Sequence, residues 1–107
     1  MADGPAALIS ACRDGDLGAV VALLEEGANA ESKDNDGRTP FYGACQNGHR
    51  EVVELLLARG ADAESKTNDG RTPFYGACEN GHREVVELLL AESKTKDGFT
   101  LIRQGQD

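Results

Sequence analysis

Cys45 and His49 stand four residues apart, and Cys78 and His82 repeat the spacing. Two thiols and two imidazoles are the donor set of a structural zinc site. A thiol beside an imidazole is also the pairing of a nucleophile with its base. Distance works against both. The two pairs are offset by 33 residues, far from the spacing of two to four typical of zinc-finger ligands. If each pair sits on its own packed helix, equivalent residues lie about 10 Å apart. Ligands held at roughly 2.0–2.3 Å from one metal cannot be gathered across that gap. A disulfide, which needs Cα atoms within about 7 Å, fails for the same reason. The preferred reading makes each Cys a small core residue and each His an orderer of a helix start. It assigns no catalytic residue, no metal and no cofactor.

Other chemistry is missing from the pattern. No nucleophile elbow, phosphate-cradling loop or isolated acid pair occurs. Asp and Asn in the turns lack the alternating oxygens and terminal Glu of a calcium loop, so turn formation explains them. Glu51, Glu54, Glu84 and Glu87 read as wet helix faces. The 107 residues carry 19 acidic against 11 basic side chains, a net charge of -8. Such a chain suits neither a phosphate backbone nor an anionic membrane surface. No apolar run approaches the roughly 18 residues of a membrane span. The opening residues lack the greasy region of a signal peptide. Three widely spaced cysteines fit free thiols in a reducing compartment, so an intracellular, cytoplasmic setting is expected.

The elements that position these residues are repeated. Residues 35–57 read NDGRTPFYGACQNGHREVVELLL, and residues 68–90 repeat them with Glu79 for Gln46 as the sole difference. A weaker copy precedes them, with Cys12 and Gly15 in register with Cys45 and Gly48. A partial copy begins at Asp97-Gly98-Phe99-Thr100, where the step from Gly70 to Gly98 is 28, five short of the period. The expected division is a capping-like unit over 5–34, repeats over 35–67 and 68–95, and a truncated repeat over 96–107.

Each unit reads as turn, helix, helix, loop. Asp36-Gly37 and Asp69-Gly70 are tight-turn dipeptides. Thr39-Pro40 predicts a helix start, with a capping hydroxyl followed by a residue pre-set for the first helical position. Asn47-Gly48 ends that helix. A second helix runs from about Arg50 to Ala58, with Val52, Val53, Leu56 and Leu57 on one stripe. Neither helix can bury its apolar face alone, so the units must stack.

These residues resemble an ankyrin repeat, whose period is 33 and whose signature is Thr-Pro-Leu-His-x-Ala. The matching positions are Asp34, Gly37, Thr39, Pro40, Ala44, Gly48, His49, Glu51, Val52, Val53, Leu55 to Leu57, Gly60, Ala61 and Asp62. The resemblance implies an all-α repeat solenoid of about three helix-turn-helix units, with β-turn or hairpin loops and an incomplete C-terminal repeat. Several positions depart from the family pattern. Phe41 and Phe74 replace the signature Leu, and Tyr42 and Tyr75 replace the His. Cys45 and Cys78 replace a small Ala. Gly43 and Gly76 stand where an apolar side chain is usual. A lost buried Leu costs about 2–5 kcal/mol if the gap stays open, and Gly within a helix adds about 0.5–1 kcal/mol. The deletion after Leu90 removes the Gly-Ala-Asp stop, which predicts either a helix extended through Ala91 to Lys94 or a displaced tail.

The resemblance also implies protein binding through turn tips and first helices. Carried over by position, that surface is Asn35, Asp36, Arg38, Tyr42, Gln46 and Asn47, then Asn68, Asp69, Arg71, Tyr75, Glu79 and Asn80. Lys96, Asp97 and Phe99 extend it if the last turn docks. Tyr and Arg are the expected anchors. The competing reading is that Tyr42 packs over the Gly43 gap and Arg38 pairs with a nearby Asp. The expected partner is a protein, with no nucleic acid and no membrane. The alternative function is a structural scaffold, or an idealised or engineered repeat protein with no natural ligand. The chain is expected to be a monomer, or to self-associate weakly through its uncapped C-terminal end near Val86 and Leu89.

Overall fold

The computed structural model describes residues 4–96. Six helices form among them: α1 (Gly4–Asp14), α2 (Leu17–Glu25), α3 (Pro40–Gln46), α4 (Arg50–Ala58), α5 (Pro73–Glu79) and α6 (Arg83–Lys96). No strand occurs among the described residues. The truncated repeat expected over 96–107 lies outside the described residues from Asp97 onward, and with it the Asp97 and Phe99 extension of the binding surface.

The helix starts follow from local chemistry. Thr39 Oγ1 accepts from the Tyr42 amide at 3.1 Å, and Thr72 Oγ1 accepts from the Tyr75 amide at 3.2 Å. Pro40 and Pro73 occupy the first turn, where a missing N–H costs nothing. Asp16 caps α2 by accepting from the Ala19 amide at 3.1 Å. The helix ends follow from glycine placement. Helix α4 stops at Ala58, just before Gly60. Helix α6 has no glycine at that point and continues through Ala91 to Lys96. Of the two outcomes expected from the deletion, the extended helix forms.

The helices stack in two rows. An inner row places α1 on α3 and α3 on α5, and an outer row places α2 on α4 and α4 on α6. Between the rows lie Leu8, Cys12, Val20, Phe41, Val53, Leu56 and Val85, all nearly or fully buried. Burying each Leu, Val or Phe contributes about 1.5–3 kcal/mol.

The glycines at Gly43 and Gly76 leave no cavity. A Cβ on Gly43 would lie 3.6 Å from Arg13 Cβ, because α1 packs directly on the Gly43 backbone. A Cβ on Gly76 would lie 3.3 Å from both Cζ and the hydroxyl oxygen of Tyr42. This corrects the expectation that Tyr42 leans over Gly43. The ring reaches forward to the next unit and seats on Gly76, and it is 2% exposed there.

The two glycines should therefore respond differently to substitution. Gly43→Ala meets only ordinary contacts and gains helix propensity, so it should stabilise by about 0.5–1 kcal/mol in urea unfolding. Gly76→Ala presses on a packed Tyr42 ring and should gain less than Gly43→Ala or lose stability.

Candidate partner-binding surface

Each binding turn is built by its own short side chains. In the first, Asp34 N donates to Arg38 O and Gly37 N donates to Asp34 O, both at 3.0 Å. Asp34 Oδ1 accepts from the amides of Asp36 and Arg38 at 2.9 Å each. The Arg38 guanidinium then folds back, with Nη2 donating to Asp36 Oδ2 at 2.6 Å. Its Nε stands 3.3 Å from Asp34 Oδ2. The second turn uses a hydroxyl in place of that carboxylate. Thr67 Oγ1 accepts from the Arg71 amide at 3.1 Å and donates to Asp69 Oδ1. Arg71 lies within 3.5 Å of Asp69 and 3.6 Å of Glu79, with its guanidinium carbon 5.2 Å from the Tyr75 ring centre.

The turns dock on one another. Asn68 N donates to Asp36 O and Asn68 Nδ2 donates to Asn35 O, both at 2.9 Å. Gly37 has φ +80°, and a Cβ there would strike the Asn68 amide nitrogen and side-chain oxygen. Only glycine meets both demands. A second seam joins the far ends of the inner helices. Asn47 Nδ2 donates to Arg13 O and Asn80 Nδ2 donates to Gln46 O, each at 3.2 Å. His49 Nε2 lies 2.8 Å from the same Arg13 carbonyl, which can only accept, so the Nε2–H donates. The His82 ring occupies the space beside Gly48, and the His49 ring the space beside Gly15.

The expected residues thus divide. Asp36, Arg38, Tyr42, Gln46, Asn68, Asp69 and Arg71 line one open cleft of about 400 Å³ between the two turns, together with Thr67. Asn47 and Asn80 lie outside that lining and spend their side-chain amides between units. Tyr75 and Glu79 stand beyond it, beside Arg71. Asn35 contributes its carbonyl to Asn68. Arg38 takes the competing role, pairing with Asp34 and Asp36. Asp34, Thr67 and Arg13 were not singled out for the surface. Arg13 is legible only through its register with Gln46, at an offset of 33.

Electrostatics follow the contacts. Burial alone would raise the Asp34 carboxyl, but the Arg38 and Asp36 amides and the Arg38 guanidinium outweigh it and hold it below the ordinary 3.8. The Thr67 hydroxyl, then Arg71, hold Asp69 low. Burial raises Tyr42 above its usual 10.0. Burial also pushes the Cys12 thiol up to about 12 and raises Cys45 further. Neither thiol is nucleophilic at neutral pH. Among the described residues, no group of three or more His, Cys, Asp or Glu is placed to hold a metal ion. None of the described helices is long and apolar enough to cross a membrane.

The model of the family described as ankyrin repeats (3 copies) matches residues 8–100. No curated protein gives a significant match to the chain.

Asp34 supplies the test of how the first turn is held. Asp34→Ala removes an ionised acceptor of two amides and should destabilise by roughly 1–3 kcal/mol at pH 7 in urea unfolding. The carboxyl is depressed in the folded state, so its contribution is complete above its unfolded pKa and falls as the carboxylate protonates. The difference between parent and variant should therefore shrink below about pH 4.

Proposed function

The chain belongs to the ankyrin repeat family, and on that premise we propose that it is a non-catalytic module that holds a protein partner in the cleft between its two turns. Ankyrin repeats generally bind proteins and are typically non-catalytic. The observation that carries the reading is the locked pair of turns. Two hydrogen bonds from Asn68 to the preceding turn fix the cleft walls before any partner arrives. A surface ordered in advance loses less conformational entropy on binding.

The contact set is Asp36, Arg38, Gln46, Asn68, Asp69 and Arg71, over Tyr42 as the buried floor. Asn35, Asn47, Tyr75, Glu79 and Asn80 flank it. The ion pairs of Arg71 are exposed, with 43% of its side chain open to solvent. Such pairs are worth about 0–1 kcal/mol, so a partner carboxylate can replace Asp69 or Glu79 at little cost. Tyr42 acts by shape, since its hydroxyl end rests on Gly76. The reading excludes nucleic acid on charge and extends to an intracellular, cytoplasmic setting, which the free thiols of Cys12, Cys45 and Cys78 support.

The experiment is a quantitative pull-down from lysate with three baits. They are the parent chain, Gln46→Ala/Asp69→Ala/Arg71→Ala in the cleft, and Glu54→Ala/Glu87→Ala on the outer helices. All three should keep the same circular dichroism. A prey held by parent and outer-helix variant should be retained about tenfold or more weakly by the cleft variant. Equal retention by all three baits would remove the cleft as the binding site.

A further inference from the structure

The inner face carries a second cleft, open between α1 and the first turn, with a volume of about 450 Å³. Its lining includes Ile9, Arg13, Lys33, Asp34 and Asn35. It stands one repeat before the cleft between the turns. Ile9 takes the position of Tyr42, Arg13 that of Gln46 and Asn35 that of Asn68. The first turn is the wall between the two clefts, with Asn35 on one side and Asp36 on the other.

The two clefts differ in charge. At one inner-helix position the three units read Arg13, Gln46 and Glu79, so the face runs from cationic at α1 to anionic at α5. Arg13 and Lys33 are both exposed. Neither forms an ion pair among the described residues. The carboxylate that lines the same cleft is already engaged. Asp34 Oδ1 accepts from the amides of Asp36 and Arg38, and Oδ2 faces Arg38 Nε at 3.3 Å. Two uncompensated cations therefore share one concavity in a chain of net charge -8. The field of the whole chain repels anions, and this cleft is where it draws them in.

We propose that this cleft is a carboxylate subsite, and that the partner held on the inner face is a polypeptide segment rich in Glu or Asp. The proposal rests on the reading of the inner face as a protein-binding surface and adds the chemistry of the partner. The planar guanidinium of Arg13 can take a carboxylate through two parallel hydrogen bonds, with Lys33 as a second point charge. Ile9, only 8% exposed, is an apolar floor for the methylene stem of a Glu. From there the segment crosses the first turn to Arg71, whose exposed pairs with Asp69 and Glu79 yield to a second carboxylate. Stacked units lie about 10 Å apart, a distance that an extended chain covers in about three residues.

The probe is a labelled octaglutamate peptide, titrated against the full chain by fluorescence anisotropy at low salt. Octaglutamine and a tetraphosphoserine peptide serve as comparisons. Arg13→Gln/Lys33→Gln removes the subsite, and Gln already stands at the position of Arg13 in the next repeat. Arg59→Gln/Arg83→Gln makes the same change in net charge at the end of α4 and the start of α6. Circular dichroism should match across the proteins, and Lys33→Gln alone replaces the double variant if it does not. The parent should bind octaglutamate and not octaglutamine. The subsite variant should raise the Kd about fivefold to tenfold, and the control less than twofold. Added salt should weaken parent binding. Absence of octaglutamate binding to the parent, or an equal loss in both double variants, would overturn the proposal. So would tenfold tighter binding of tetraphosphoserine, since the partner would then be a phosphorylated segment. Asp69→Asn/Arg71→Gln, which leaves net charge unchanged, separates the two clefts. Weakening by the Arg13 and Lys33 changes alone keeps the subsite and removes the cleft between the turns, whereas weakening by the Asp69 and Arg71 changes alone overturns the subsite and keeps that cleft.

Discussion

The units of this chain are fastened to one another by side-chain amides, and at His49 by an imidazole, that reach the preceding unit's carbonyls. The bonds run from Asn47 and His49 to Arg13, from Asn68 to Asn35 and from Asn80 to Gln46, across 33 to 36 residues of sequence. These carbonyls lie at helix ends and in turns, where no intrahelical partner exists. At these solvent-accessible positions each bond adds only about 0.5–1.5 kcal/mol, and all of them are made together when the next unit arrives in register. The apolar rows supply most of the stabilisation, but they are made of similar aliphatic side chains and tolerate sliding. The polar seams fix the register that the core alone leaves loose.

That constraint explains the odd residue choices. Glycine at Gly37, Gly48 and Gly76 is where the following unit presses closest, through Asn68, His82 and, in the reverse direction, the Tyr42 ring from the unit before. Tyrosine and glycine at adjacent positions in one repeat are therefore two halves of a contact between repeats. The two near-identical units carry both halves, whereas the first unit has Ile9 and Ser10 at these positions, so the contact forms once, between Tyr42 and Gly76. The same repetition leaves an unspent ring at the last unit, where Tyr75 and Phe74 have no seat among the described residues. The binding surface inherits its rigidity from the same seams, because the bonds that align the turns also set the walls of the cleft.

Part of the surface was legible from residue types and spacing. The cleft residues Asp36, Arg38, Tyr42, Gln46, Asn68, Asp69 and Arg71 come from positions that recur at one period and carry polar or aromatic tips. Which of the twelve are free was not legible. Asn47 and Asn68 are both asparagines beside a glycine, or one residue removed from one, and both turn out to hold the stack. Arg38 and Arg71 look alike, yet the first is engaged by Asp34 and Asp36, while the second also lies over Tyr75. Two exchanges accompany the difference: Asp34 gives way to Thr67, and Gln46 gives way to Glu79, which pairs with Arg71.

The sequence by itself determined the period, the six helices and most of their limits. Thr-Pro starts, Asn-Gly stops and a three-to-four apolar stripe are local signals that act within a few residues. The deletion of a glycine stop after Leu90 left an extended helix or a displaced tail open, and the structure chose the extension of α6. Only the tertiary structure decided what the repeated side chains do. Tyr42 and Tyr75 share a local sequence of more than twenty near-identical residues, and one is a buried floor while the other is exposed. Burial is set by what lies across an interface one repeat away. Nothing within a residue's own helix encodes whether a neighbour stands there.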